Sequence, residues 1–211
     1  MRKYFTAMLL ASALVGCHDV RDTNPASIQK FDKTVGQKIS LDIATDWMER
    51  YDKNASGQRS AESSYSITAD HLKAIIPYAA DAGLAFHHAI DEAGTYHILI
   101  IPVTSALLFD APVLLDANTN TIIDESTARA WTDNYKDANP DQIWYHFFGL
   151  DIFSEITQSS FSYFDIEPAI NDAGKPQLLL MVWPEGTSNG RTEATSPTVY
   201  DFSSPCPPCS N

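Results

Sequence analysis

The chain has 211 residues, 44% of them hydrophobic, and a formal charge of −13 from 27 Asp and Glu against 14 Lys and Arg. That apolar share supports one ordinary domain with a real core. The acidity argues against nucleic acid and against electrostatic adhesion to anionic lipid, and it permits a basic protein or divalent cations as partners.

The first segment reads as a leader. Arg2 and Lys3 precede Tyr4 to Val15, a mostly apolar run of about a dozen residues. That is the length of a signal h-region, shorter than the roughly 20 helical residues that span a bilayer. It ends in Leu14-Val15-Gly16-Cys17, which resembles the lipobox of bacterial lipoproteins. The resemblance implies a signal peptide over 1–16, cleavage before Cys17, and acylation of Cys17 on sulfur and then on its new amino group. The alternative is an ordinary secretory signal that contains a cysteine. A single chain holds only marginally, at about 0.8 kcal/mol per buried methylene, so two or three make the lasting anchor. The membrane is then the first expected partner, reached through Cys17. His18 follows in place of the aspartate that retains lipoproteins in the inner membrane of enteric-type bacteria, which favours the outer membrane. Without Arg2 and Lys3, residues 17–211 keep 12 of the 14 basic residues and all 27 acids, a charge of −15.

Residues 17–38 are polar without sustained periodicity and read as a tether. Residues 39–185 read as a single α+β domain built twice, with halves at about 39–105 and 122–185. Trp47 and Tyr51 recur as Trp131 and Tyr135 at an offset of 84, and Ala89-Ile90-Asp91-Glu92-Ala93-Gly94 recurs as Ala169-Ile170-Asn171-Asp172-Ala173-Gly174 at an offset of 80. The difference falls on a loop that is longer at 53–64 than at 136–142. An internal duplication is expected, the alternative being two similar units met by chance.

Each half reads as helix, short strand, helix, β-hairpin. The first helix is capped by Ser40, with Ile43, Trp47 and Tyr51 on one face; its counterpart is capped by Ser126 or Thr127, with Ala128, Trp131 and Tyr135. Short strands follow at 64–68 and 143–148. Thr68 opens the next helix, which carries Leu72, Ile75, Ile76 and Ala79 until Pro77 ends it; its counterpart carries Leu150, Ile152, Phe153 and Ile156. The hairpins alternate cleanly. Leu84, Phe86, His88 and Ile90 share one face, and Phe164, Ile166, Pro168 and Ile170 share another of equal register. Asp91 to Gly94 and Asn171 to Gly174 carry tight-turn chemistry. The return strands, 97–103 and 177–183, are apolar on both sides and belong inside a mainly antiparallel sheet.

Tyr145-His146-Phe147-Phe148-Gly149-Leu150-Asp151-Ile152-Phe153-Ser154-Glu155-Ile156, followed by an Asx-Gly hairpin, resembles an uncharacterised family of small Bacteroidetes-type bacterial proteins. That family pairs an HFFG-type segment with a helix, an IR-Y-GLD-x-x-G strand and turn, a hydrophobic strand and often a Cys-Pro-Pro-x-Cys-like tail. The resemblance covers roughly 39–209 and implies a fold without a chemistry. Phe164-Asp165-Ile166-Glu167-Pro168-Ala169 departs from it, lacking the basic and tyrosine positions.

Residues 186–211 are rich in Pro and Ser and read as a tail, with Tyr200-Asp201-Phe202 docking back on the domain. Cys206 and Cys209 form a C-x-x-C. With Cys17 lipidated, the even pair reads as a disulfide of an exported chain; metal binding, redox catalysis and free thiols remain alternatives, although no helix follows to activate a thiol.

No catalytic residue, metal set or cofactor motif is expected. Hydrolase elbows, phosphate loops and zinc spacings are missing from the sequence. His87 and His88 point to opposite faces of a strand, and His88 reads as a core histidine satisfied by backbone. Asp46, Glu49, Asp124, Glu125 and Asp133 read as solvated acids. Trp47, Tyr51, Trp131 and Tyr135 are the candidate ligand-facing groups, able to stack on a sugar or peptide, although their helical spacing also suits a core. The expected cleft lies where the halves meet. The leading expectation is a lipid-anchored, non-catalytic binding or assembly module of the envelope with a protein or glycan partner. The alternatives are an envelope hydrolase acting on glycan or peptide, and an immunity or inhibitor protein against a basic toxin or muramidase.

Overall fold

The computed structural model describes residues 31–55, 64–79, 81–103, 111–186, 196–201 and 203–206. Along the chain these form β1 (Gln37–Ile39), α1 (Leu41–Ala55), β2 (Tyr65–Thr68), α2 (Ala69–Ile75), β3 (Gly83–Ile90), β4 (Tyr96–Val103), β5 (Leu114–Asp116) and β6 (Thr121–Ile123). There follow α3 (Glu125–Ala138), β7 (Tyr145–Gly149), α4 (Leu150–Gln158), β8 (Phe161–Ile170), β9 (Pro176–Pro184), β10 (Thr198–Asp201) and β11 (Ser204–Cys206). The fold is α+β, and its strand pairings are antiparallel.

The hairpins divide between two sheets. One has the order β1-β10-β9-β8-β2, the other β11-β7-β3-β4-β5-β6. Each therefore takes three consecutive strands from one half of the chain and is flanked by two strands of the other half. When β1–β5 are set against β6–β10, the two orders coincide, with β11 as an addition. The hairpin registers coincide too: Gly83 faces Val103 and Ile90 faces Tyr96 in one, while Tyr163 faces Trp183 and Ile170 faces Pro176 in the other. As expected for strands apolar on both sides, β4 and β9 lie inside their sheets.

The alternation of the strands decides the layering. Leu84, Phe86, Ile98 and Ile100 of one sheet face Phe164, Ile166, Leu178, Leu180 and Val182 of the other across the main core, which α2 and α4 complete with Leu72, Ile75, Ile152, Phe153 and Ile156. The opposite parity faces outward. There α1 covers Leu179, Met181 and Trp183 with Ala44 and Trp47, and α3 covers Ala89, Leu99 and Ile101 with Ala128 and Trp131. Each helix thus lies on the hairpin of the other half.

The helix starts follow side-chain chemistry. Ser40 accepts from the Ile43 N–H at 3.3 Å, and Thr68 from the His71 N–H at 3.3 Å. α3 is capped by Asp124, not by Ser126 or Thr127. Its carboxylate accepts the Thr127 N–H at 2.9 Å and both hydroxyls, and negative charge suits a helix N-terminus. Those bonds, Ser126's first, lower its pKa to about 2. In α1 the stripe shifts: Ala44 and Trp47 are buried, whereas Ile43 is 43% exposed. Pro77 ends α2 early, and the chain continues as a 3-10 turn over Ile76–Ala79.

The folded region is wider than 39–185. Before β1, Phe31 is buried with its ring 4.9 Å from that of Phe147. Val35 O accepts the Gly149 N–H at 2.8 Å and Lys33 O accepts the Asp151 N–H at 3.0 Å, so chain outside the helix satisfies the start of α4. Glycine is required there, since a Cβ at Gly149 would stand 2.1 Å from Lys33 O. The segment expected as a tail supplies β10 and β11, with Tyr200 and Asp201 buried. Strands this short carry no periodicity of their own; neighbouring edges recruit them. Cys206 is disulfide-bonded. Residues 1–30, including Cys17, lie outside the described residues, as do Phe202 and Cys209.

Candidate functional site

A cleft of about 570 Å³ opens where the two hairpin ends meet the C-terminal turns of α1 and α3, within the range of roughly 300–1,000 Å³ usual for ligand sites. β3 and β4 supply His88, Ile90 and Tyr96, and β9 supplies Gln177 and Leu178. Tyr51 comes from α1, Tyr135 from α3, Asn139, Gln142 and Ile143 from the chain after α3, and His146 from β7.

Sheet parity explains both imidazoles. His88 follows Phe86 by two positions and so faces inward, one step past the apolar core. His146 pairs across with Phe86, shares the inward face with Phe148, and reaches the same opening. The His88 ring stacks on Tyr135 at 5.2 Å and meets His146 edge-on at 5.8 Å. Its Nδ1 hydrogen-bonds the Tyr96 hydroxyl. Beside whatever backbone contact His88 makes, a phenol holds one of its ring nitrogens, and the ring lines a cleft. His87 points the other way, stacked on Tyr145 at 4.6 Å.

Behind His146 runs a polar chain. Its Nδ1 lies 2.9 Å from the Ser203 hydroxyl, which donates to Gln177 Oε1 at 3.5 Å. Nδ1 donates to or accepts from that hydroxyl according to the imidazole tautomer, and Nε2 takes the complementary role. His146 is 2% exposed, and among the described residues its Nε2 has no hydrogen-bond partner. Burial, and after it the neighbouring His88, holds this imidazole well below its ordinary pKa, so it is neutral at pH 7.

Comparison with family models, with curated proteins and with solved structures finds no match. The site must be read from its own chemistry.

Of the four aromatic candidates, Tyr51 and Tyr135 line the cleft and the two tryptophans do not. Trp47 is buried under sheet and donates its indole N–H to Asp172 at 3.1 Å. Trp131 donates to Glu92 at 2.9 Å and packs on His97 at 4.6 Å. His97 lies opposite Ala89, on the face away from His88, between Asp91 at 3.4 Å and Asp116 at 3.1 Å. Asp46, Glu49, Asp124, Glu125 and Asp133 are exposed and outside the cleft. Among the described residues no three His, Cys, Asp or Glu side chains are grouped to hold a metal.

His146, Tyr96, Gln177 and Ser203 were not legible as site residues. Only His146 carried a signal, as the polar member of the inward pair His146 and Phe148. Among the described residues the lining holds no Asp, Glu, Lys or Arg, so it offers amides, phenols, imidazole and aromatic rings: hydrogen bonding without a fixed charge.

Proposed function

We propose that the chain is a lipid-anchored binding module of the cell envelope, held by acyl chains on Cys17, with the cleft as the place that receives its partner. The observation that carries the reading is the uncharged lining of that cleft in a chain of net charge −13. A cleft built by both halves and stripped of charge is suited to selecting a partner by shape and hydrogen bonds. The anchor is supported by Leu14-Val15-Gly16-Cys17 and by the polar stretch behind it. The outer membrane is favoured by His18. The matched connectivity of the two sheets supports internal duplication, which would explain why the cleft falls between halves.

The test has two arms. A clickable palmitate analogue should label the full chain, and Cys17→Ser should abolish label and membrane retention together. Photo-crosslinkers at Tyr51 and Tyr135 in intact envelopes should capture a discrete partner, while one at exposed Ile122 should not. Unchanged membrane retention of Cys17→Ser overturns the anchor; turnover of an envelope glycan by the purified chain overturns the non-catalytic reading.

A further inference from the structure

We infer that the ligand of the cleft is a neutral sugar, one or two pyranose rings presenting hydroxyl groups and no charge; this rests on the binding-module reading above. Three observations carry it. First, the absence of Asp, Glu, Lys and Arg from the lining among the described residues gives an ionic ligand no counter-charge there, and desolvating an unpaired charge is costly. Second, amides interrupt the apolar part of the lining where an acyl chain would lie. Asn139, Gln142 and Gln177 would lose water to an apolar ligand without replacement, whereas ring hydroxyls both donate to and accept from amides. Third, the ring nitrogen of His146 that faces the cleft is held in place from behind. Ser203 fixes its Nδ1, Gln177 fixes Ser203, and the remaining Nε2 belongs to a ring that lines the cavity and has no hydrogen-bond partner among the described residues. A sugar hydroxyl, able both to donate and to accept, pairs with that nitrogen in either tautomer. The half-exposed rings of Tyr51 and Tyr96 at the opening offer aromatic surface against which the C–H face of a pyranose packs.

The experiment titrates the purified full chain with four neutral disaccharides (cellobiose, maltose, lactose and N,N′-diacetylchitobiose), a uronic-acid disaccharide and an end-blocked tripeptide of uncharged residues. Imidazole NMR signals of His88 and His146 report site occupancy, and calorimetry reports affinity. At least one neutral disaccharide should saturate the His146 shift, and the uronide should bind at least tenfold more weakly. His146→Ala should lose about tenfold or more in affinity, with His146→Gln, which keeps an acceptor, recovering part of it. Tyr51→Ala at the half-exposed rim should weaken binding severalfold, and it decides the matter if His146→Ala does not fold. Equal binding of the uronide, or wild-type affinity in folded His146→Ala, overturns the sugar assignment. Shifts with the tripeptide and none with sugars overturn it while leaving the cleft as the binding site. No shift with any of the six overturns both.

Discussion

The indole N–H of Trp131 donates to Glu92 at 2.9 Å, tying a helix of the second half to the hairpin turn of the first. Trp47 repeats the bond to Asp172 at 3.1 Å in the opposite sense. Trp131→Phe and Trp47→Phe should each cost about 1–2 kcal/mol, one hydrogen bond plus some packing. Glu92→Gln keeps an acceptor and should cost under about 0.5 kcal/mol. Urea unfolding midpoints measure this, and an unmoved midpoint in Trp131→Phe would show that the tie is decorative.

His97 is the buried counterpart of Gln177 at an offset of 80. His97→Leu removes one partner of the buried Asp116 carboxylate, which keeps the Asn118 N–H at 3.0 Å and the Thr119 hydroxyl at 2.7 Å, and should cost about 2 kcal/mol. His97→Gln imitates the other half and should cost under about 1.5 kcal/mol. Equal losses in the two variants would mean that packing, and not the hydrogen bond, sets the requirement.

Acid should weaken the fold in a defined window. Asp124 is lowered to about 2 by Ser126 and Thr127, Asp91 is lowered chiefly by the Thr95 N–H, and Asp172 is lowered chiefly by Arg50. Each binds fewer protons folded than unfolded, so its contribution is present above about pH 4 and is lost as pH falls toward 2. Asp124→Asn keeps a capping side chain and should flatten that slope without unfolding the protein. Thermal melts at pH 2.5, 4 and 6 should show the difference between Asp124→Asn and wild type shrinking as pH falls.

Gly149→Ala places a methyl group against Lys33 O and should displace residues 33–35 from the start of α4. A loss above about 2 kcal/mol is expected, with faster proteolysis on the N-terminal side of Gln37. Protection equal to wild type would show that the segment can give way without leaving.

Much of this architecture was legible. Asp91 and Asn171 announced the hairpins because an Asx side chain organises its own turn. Each accepts two backbone N–H groups, at 2.9 and 2.7 Å for Asp91 and at 3.0 and 3.0 Å for Asn171. Local chemistry also placed Ser40, Thr68 and Pro77. The exchange of strands between halves was invisible, since β2 and β7 look alike and nothing within Tyr65–Thr68 says which hairpin it joins. The cleft was half visible: Tyr51 and Tyr135 lay on a readable helical stripe. Ser203 and Gln177 acquire their role only when β9 and the last segment of the chain converge on His146, a long-range event with no local trace. The tryptophans lie outside this cleft, their indole N–H groups held by Glu92 and Asp172 in turns of the opposite half.

The pairing of β2 with β8 has a cost in time. Ser66 meets Asp165 only after 99 further positions of chain have appeared. A polypeptide emerging N-terminus first can close β3 on β4 at once, but the flank of β3 stays open until β7 arrives, and β2 waits longer still. Contacts so distant along the chain slow folding and leave edges exposed in the interval. Cutting the loop between β5 and β6 would not release two small domains. Each fragment would hold only two or three strands of either sheet, so neither should fold alone, and mixing them should restore the whole by complementation.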